Sequence, residues 1–152
     1  MWKRIHTYII DEIMLLPILV VNWSLWAVSG YHKLHEIITK QAWVAPNGWI
    51  PWLKVHFMGT PFENFVEPLF YFLTGIECLA GLLLTVALLK LEFFHDNKRV
   101  YFKLGLFFGA LCIACMSLGQ NIANADEDVF ELSSYLSTTL LSYLFILRYS
   151  KS

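Results

Sequence analysis

Charge is what this chain of 152 residues has least of: Asp, Glu, Lys and Arg make up 15% of it, against roughly 25% in soluble domains. The formal net charge is −1, so no overall field draws the chain to nucleic acid, and no basic patch is interleaved with aromatics. A glycine-rich phosphate loop is missing as well. Only three cysteines occur, Cys78, Cys112 and Cys115. All fall inside apolar segments, which excludes a secreted disulfide framework. No period recurs along the chain, which argues against a carrier built from paired repeats. A cleavable leader is not expected, because Asp11 and Glu12 interrupt the first apolar run and no small-x-small site follows.

What the chain does have is apolar surface: 57% of its residues are hydrophobic and 16% aromatic, with a mean hydropathy of +0.55. A bilayer crossing takes about 20 apolar residues at a helical rise. Backbone exposed to lipid must be helical or closed into a barrel. The pattern therefore predicts an all-α membrane protein, a single-domain bundle of four transmembrane helices spanning approximately 13–35, 68–90, 103–124 and 129–148.

Ahead of the first span, Met1 to Glu12 reads either as an amphipathic lead-in on the membrane surface or as the frayed start of the helix. That span is uncharged from Ile13 to Tyr31, has Pro17 in its first turns, and continues to about Lys40. Ser24, Ala27 and Gly30 offer small positions for close helix contact. Trp43 to Glu67 is the longest loop, and Trp43, Trp49 and Trp52 place it along the membrane interface. Within it, Thr60-Pro61-Phe62-Glu63 reads as a helix start, with Thr60 as N-cap and Glu63 as its capping-box partner. Leu91 to Phe102 forms a short connector, and Asn121 to Asp128 an acidic turn. In the third segment Gly105-x-x-x-Gly109 permits close helix approach. Hydroxyls in the fourth are expected to bond their own backbone or a neighbouring helix.

Lys3, Arg4, Lys90, Lys98, Arg99, Lys103, Arg148 and Lys151 all fall on one side of such a layout. The positive-inside rule then puts both termini in the cytoplasm and the tryptophan loop outside.

The most informative residue is Glu77, an acid near the middle of the second span. A central carboxylate costs roughly 2.5–3.5 kcal/mol on insertion-based scales, so it tends to be paired, protonated or turned to a polar cavity. One reading makes Glu77 the floor of an outward polar pocket with Lys33 as partner and Gln120, Asn121 and Glu131 at the mouth. The other has Glu77 only joining helices. Cys112 and Cys115 have redox-motif spacing but sit inside a helix, where buried thiols behave as small hydrophobes. His32, His35 and His56 share the outer side with Glu36, Glu63 and Glu67, but as interfacial residues; no metal is expected. No histidine lies mid-span to ligate haem.

Ser29-Gly30-Tyr31-His32-Lys33-Leu34 resembles the G-x-x-K-L element of the DoxX-like family of small four-helix membrane proteins. Thr74-Gly75-Ile76-Glu77-Cys78-Leu79-Ala80-Gly81-Leu82-Leu83-Leu84 resembles that family's G-x-x-E-x-x-x-G-L-L element. The resemblance covers the first two helices and carries over Gly30, Lys33, Glu77 and Gly81. Where members often place a histidine late in the third helix, this chain has Gln120 and Asn121. What the resemblance implies is a small subunit of a redox assembly in a bacterial cytoplasmic membrane, accessory or quinone-interacting, without a covalently bound cofactor. Its partners would be the bilayer and other membrane subunits, not nucleic acid. Two alternatives stand beside it. One is a structural subunit or assembly factor that binds partner helices through the tryptophan loop and the glycine face. The other is a thiol–disulfide protein working through Cys112 and Cys115.

Overall fold

A computed structural model describes residues 15–94, 99–123 and 129–149, with side chains for all of these but residues 123, 129–131 and 149. The Met1–Glu12 lead-in lies outside the described residues, as do positions 95–98 of the connector, 124–128 of the acidic turn, and Lys151. Among the described residues every regular element is helical. In order they are α1 (Leu15–Trp23), a π-helical turn (Ser24–Val28), α2 (Ser29–Ile38), a 3-10 turn (Gln41–Trp43), α3 (Trp49–His56), a second 3-10 turn (Glu63–Phe65), α4 (Val66–Leu89), α5 (Val100–Ala123) and α6 (Val129–Tyr149). Two stretches, Glu63–Leu89 and Val100–Ile122, are long and apolar enough to cross a membrane.

From α1 through α2 the chain is one unbroken helical run. Its buried residues, Leu15, Leu19, Asn22, Trp26 and Gly30, recur every three or four positions and form one stripe. The π turn sits in the middle of that stripe. It takes an extra residue per turn, so everything after it is rotated by roughly 100° from where a straight α-helix would carry it. This run packs along α4, α4 packs along α5, α5 along α6, and α6 returns to α1. Leu19, Trp26, Ala80, Leu84, Leu106 and Ile113 meet at the centre.

Glycines set how closely these helices approach. A Cβ on Gly81 would stand 2.7 Å from the Ala27 Cα, and one on Gly30 would stand 3.1 Å from the Cys78 nitrogen. Gly105 faces the Leu84 side chain, while Gly109 lies under the Trp26 indole, where a Cβ would stand 2.5 Å from Nε1. Both ends of the Gly105-x-x-x-Gly109 pair are therefore used inside this chain. The expectation that this face is open to partner helices is corrected: Leu84 and Trp26 already fill it. Ala27 and Gly30 pack as expected. Ser24 does not; it is exposed and donates its hydroxyl to the Val21 carbonyl at 2.8 Å.

The long loop is more ordered than its prolines suggested. Its helix α3 is pinned to α4 by Ala42, Ile50 and Phe70. The start of α4 also differs from the sequence reading. The Thr60 hydroxyl accepts from Phe62 N at 3.3 Å, and Glu63 reaches back to Gly59 N at 2.9 Å. These bonds tie a turn, and the α-helix begins only at Val66, after a 3-10 turn. Pro61 and the 3-10 geometry displace the helix start because the side-chain bonds close one residue early.

At the other end of α4 the connector carries a buried acid. Glu92 is buried and its carboxylate accepts from Phe102 N at 2.9 Å and Tyr101 N at 3.3 Å. It thus answers the free N–H groups and positive dipole end of α5. On α6, Ser137, Thr138 and Ser142 donate to the carbonyls four residues earlier, as expected of hydroxyls in an apolar helix. Ser142 also accepts from Asn22 Nδ2 at 3.1 Å, which links α6 to α1.

Candidate functional site

Glu77 lies in the fourth turn of α4 and is 1% exposed. Its Oε1 is 2.5 Å from Lys33 Nζ. Ser29 donates its hydroxyl to Oε2 at 3.2 Å, and the Cys112 thiol donates to Oε1 at 3.8 Å. Ser29 and Lys33 are one helical turn apart, so both fall on the same face of α2. The π turn immediately before Ser29 sets the angle of that face. Three elements therefore converge on one carboxylate: α2 supplies a cation and a hydroxyl, α4 the acid, and α5 a thiol. A buried ion pair repays its desolvation only when the remaining lone pairs are met, and here Ser29 and Cys112 meet them.

Next to the pair lies a cavity of about 630 Å³, framed by the loop and α3 and by the near ends of α4, α5 and α6. Trp49 and Trp52 come from α3, Phe70 from α4, Met116 from α5, Leu132 and Tyr135 from α6. Lys33 lines the cavity, and its ammonium stands 5.1 Å from the Trp49 ring centroid. Glu77 does not reach the cavity surface. The acid is thus one layer deeper than expected: Lys33 forms the floor and Glu77 sits behind it.

Other polar groups reach the same space. Gln120 lines it, and its Oε1 is buried with no hydrogen-bond partner among the described residues. His56 lines it too, with Nδ1 2.8 Å from the Trp52 carbonyl. A carbonyl oxygen only accepts, so Nδ1 carries the hydrogen of this bond. Trp52 packs against that imidazole with ring centroids 4.0 Å apart.

Of the residues singled out from sequence, the fold brings Lys33 and Glu77 into contact and puts Gln120 on the same cavity. Asn121 is exposed and lies off the lining. The side chain of Glu131 lies outside the described residues. All three cysteines are free thiols. Cys112 is turned to Glu77 and to Met116 Sδ at 3.9 Å, whereas Cys115 lines the cavity. Among the described residues, no three His, Cys, Asp or Glu side chains converge as a metal site would require. His32 lies edge-on to Tyr31 on α2, centroids 5.9 Å apart, whereas His56 is on α3.

Sequence reasoning passed over Ser29, although its i, i+4 spacing from Lys33 was a usable signal. It also passed over Cys112 as a Glu77 partner, for which no local signal exists. The cavity role of Trp49, Trp52 and His56 was missed because the loop was read as lying flat, not as a wall. Comparison with protein-family models, curated proteins and solved structures returns no match.

Proposed function

We propose that the chain is a multi-pass membrane protein with four spans and both termini cytoplasmic, acting as an accessory, quinone-interacting subunit of a membrane oxidoreductase assembly. The observation that carries this reading is the cavity. At about 630 Å³ it falls within the range of small-molecule sites, which are mostly apolar with a few placed polar groups. Flat aromatic walls suit a ring, and the Lys33 ammonium on the floor suits a ring carbonyl. Further support comes from the four residues of the DoxX-like resemblance. Gly30, Lys33, Glu77 and Gly81 all lie on the seam between the first helical run and α4, the same seam that builds the floor. The bacterial cytoplasmic membrane is the compartment this reading requires.

A structural subunit or assembly factor is the second reading. Phe72, Leu79 and Leu82 on α4, with Phe107 and Leu118 on α5, are exposed apolar residues that suit lipid or a partner helix. The dithiol reading draws no support from the geometry, because Cys112 and Cys115 face different surroundings.

Purification from native membranes into a mild detergent, followed by mass spectrometry of proteins and extracted lipids, separates these. Co-purifying redox subunits and quinone support the first reading. A complex whose turnover is unchanged by Glu77→Gln and which carries no quinone supports the second. A solitary chain without bound quinone sinks both.

A further inference from the structure

Lys33 is held inside the bundle by Glu77, yet its side chain keeps 11% exposure and lines the cavity. Lys54, also paired with an acid, is 55% exposed. A primary amine set in an apolar pocket is the kind that forms imines with carbonyl compounds. Among the described residues lining the cavity, Lys33 is the only Lys or Arg, and no Asp or Glu joins it. Since Glu77 answers Lys33 from behind, the lining has no further fixed charge to call for an ionic occupant.

Glu77 supplies what imine formation needs. Its Oε1 is 2.5 Å from Nζ, and Ser29 and Cys112 hold the carboxylate in place. Passing a proton from the ammonium to the carboxylate leaves two neutral groups, which apolar surroundings favour over two charges. It also frees the nitrogen lone pair. The nitrogen then bonds to an aldehyde carbon. Both protons that leave the nitrogen reach the aldehyde oxygen through Glu77, the C–O bond breaks, and one water departs. Ammonium plus aldehyde thus become iminium plus water, with no electron gained or lost. The positive charge ends where it began, opposite a carboxylate suited to serve as counter-ion.

The walls set the class of aldehyde. The Trp49 ring centroid is 5.1 Å from Nζ, and Trp52 and Phe70 line the same space. A conjugated aldehyde spreads the iminium charge along its chain and across such aromatic faces, whereas a saturated one leaves it on the nitrogen.

We propose that Lys33 forms a protonated imine with a neutral, conjugated, lipid-soluble aldehyde seated in the cavity, with Glu77 as proton carrier and counter-ion. The cavity is the one described above, but the inference does not rest on the redox reading.

The test mixes the full chain, in dodecyl maltoside at neutral pH, with para-dimethylaminocinnamaldehyde. The protonated imine of this probe absorbs to the red of the free aldehyde and its neutral imine to the blue. Borohydride then reduces the C=N bond, and peptide mass spectrometry locates the resulting secondary amine. A red-shifted band is expected, with an adduct at Lys33 that forms at least about tenfold faster than at Lys54, because the cavity positions the aldehyde. Lys33→Arg keeps a cation for Glu77 but has no primary amine, so band and Lys33 adduct should both vanish. The uncharged double variant Lys33→Met/Glu77→Leu should lose them too, and it serves if the arginine variant does not fold. An adduct at Lys54 as fast as at Lys33, or addition at the Cys115 thiol alone, overturns the inference. A blue-shifted band overturns it as well, since Glu77 would then hold no charged imine. None of these outcomes bears on whether quinone co-purifies, so the two readings stand or fall separately.

Discussion

Lys33 Nζ lies 2.5 Å from Glu77 Oε1, tying the end of the first helical run to the middle of α4. Glu77 is 1% exposed and the Lys33 side chain 11%. Removing one member leaves the other as an uncompensated buried charge. Glu77→Leu or Lys33→Met alone is expected to destabilise the bundle by about 3–5 kcal/mol. The double variant Lys33→Met/Glu77→Leu should recover most of that loss, because two apolar side chains replace two charges. Denaturant titration in detergent of both singles and the double gives the coupling energy. If the double is as unstable as the worse single, the pair is not the source of the cost.

The contact between Gly81 and Ala27 leaves no room for a side chain, and the obstructing atoms are backbone. Gly81→Val is expected to cost about 1–3 kcal/mol through overpacking. Gly75, which has open space where a Cβ would go, should accept alanine with little change. Paired melting curves check this, and equal losses at both positions would contradict the packing described.

Glu92 holds the start of α5 by accepting from two backbone N–H groups. Glu92→Ala should cost about 1–2 kcal/mol, the range of a lost helix cap. Hydrogen exchange would show the change as faster exchange at Tyr101 and Phe102, with protection late in α5 retained. Uniform loss along α5 would point instead to global unfolding.

Thr139 is fully buried on α6 and its hydroxyl has no partner among the described residues. Replacing it with the similarly shaped valine removes a buried polar group that nothing satisfies. Thr139→Val is expected to raise stability by about 1 kcal/mol. Thr138→Val, on an exposed hydroxyl that bonds the Ser134 carbonyl, should change little. A destabilised Thr139→Val would mean that the hydroxyl has a partner after all.

Cys115 lines the cavity whereas Cys112 is fully buried. A small apolar maleimide should label Cys115 well before Cys112, and a cavity-bound ring should slow that labelling. Peptide mass spectrometry over time reads both. Faster labelling of Cys112 would contradict the arrangement of α5 against Glu77.

The helical class was legible in the sequence because long uncharged runs such as Leu104 to Ala123 admit little else. The positions of the long helices were legible to within a turn for the same reason, whereas α3, inside the stretch read as a loop, was not. Glu77 and Lys33 stood out as charges beside apolar residues, and their pairing followed from reach alone. Thr60 was misread because a capping-box pattern and a tied turn share the same residue types, and only the backbone path tells them apart. Gln120 and Asn121 were indistinguishable in one dimension. On α5 the first turns to the cavity and the second is exposed, since neighbours on a helix point about 100° apart.

By itself, the sequence determined that this chain buries its backbone in helices and that a lone acid inside one of them needs an answer. Solvation enforces both, and solvation depends on residue type. Tertiary structure alone decided that Lys33 is the cavity floor with Glu77 behind it, that Ser29 and Cys112 complete the acid's bonds, and that Trp49 and Trp52 are walls. These depend on the π turn at Ser24–Val28, which rotates α2, and on Gly81 and Gly109, which let three helices close together. Register and distance between helices belong to the packed molecule and to no single segment of it.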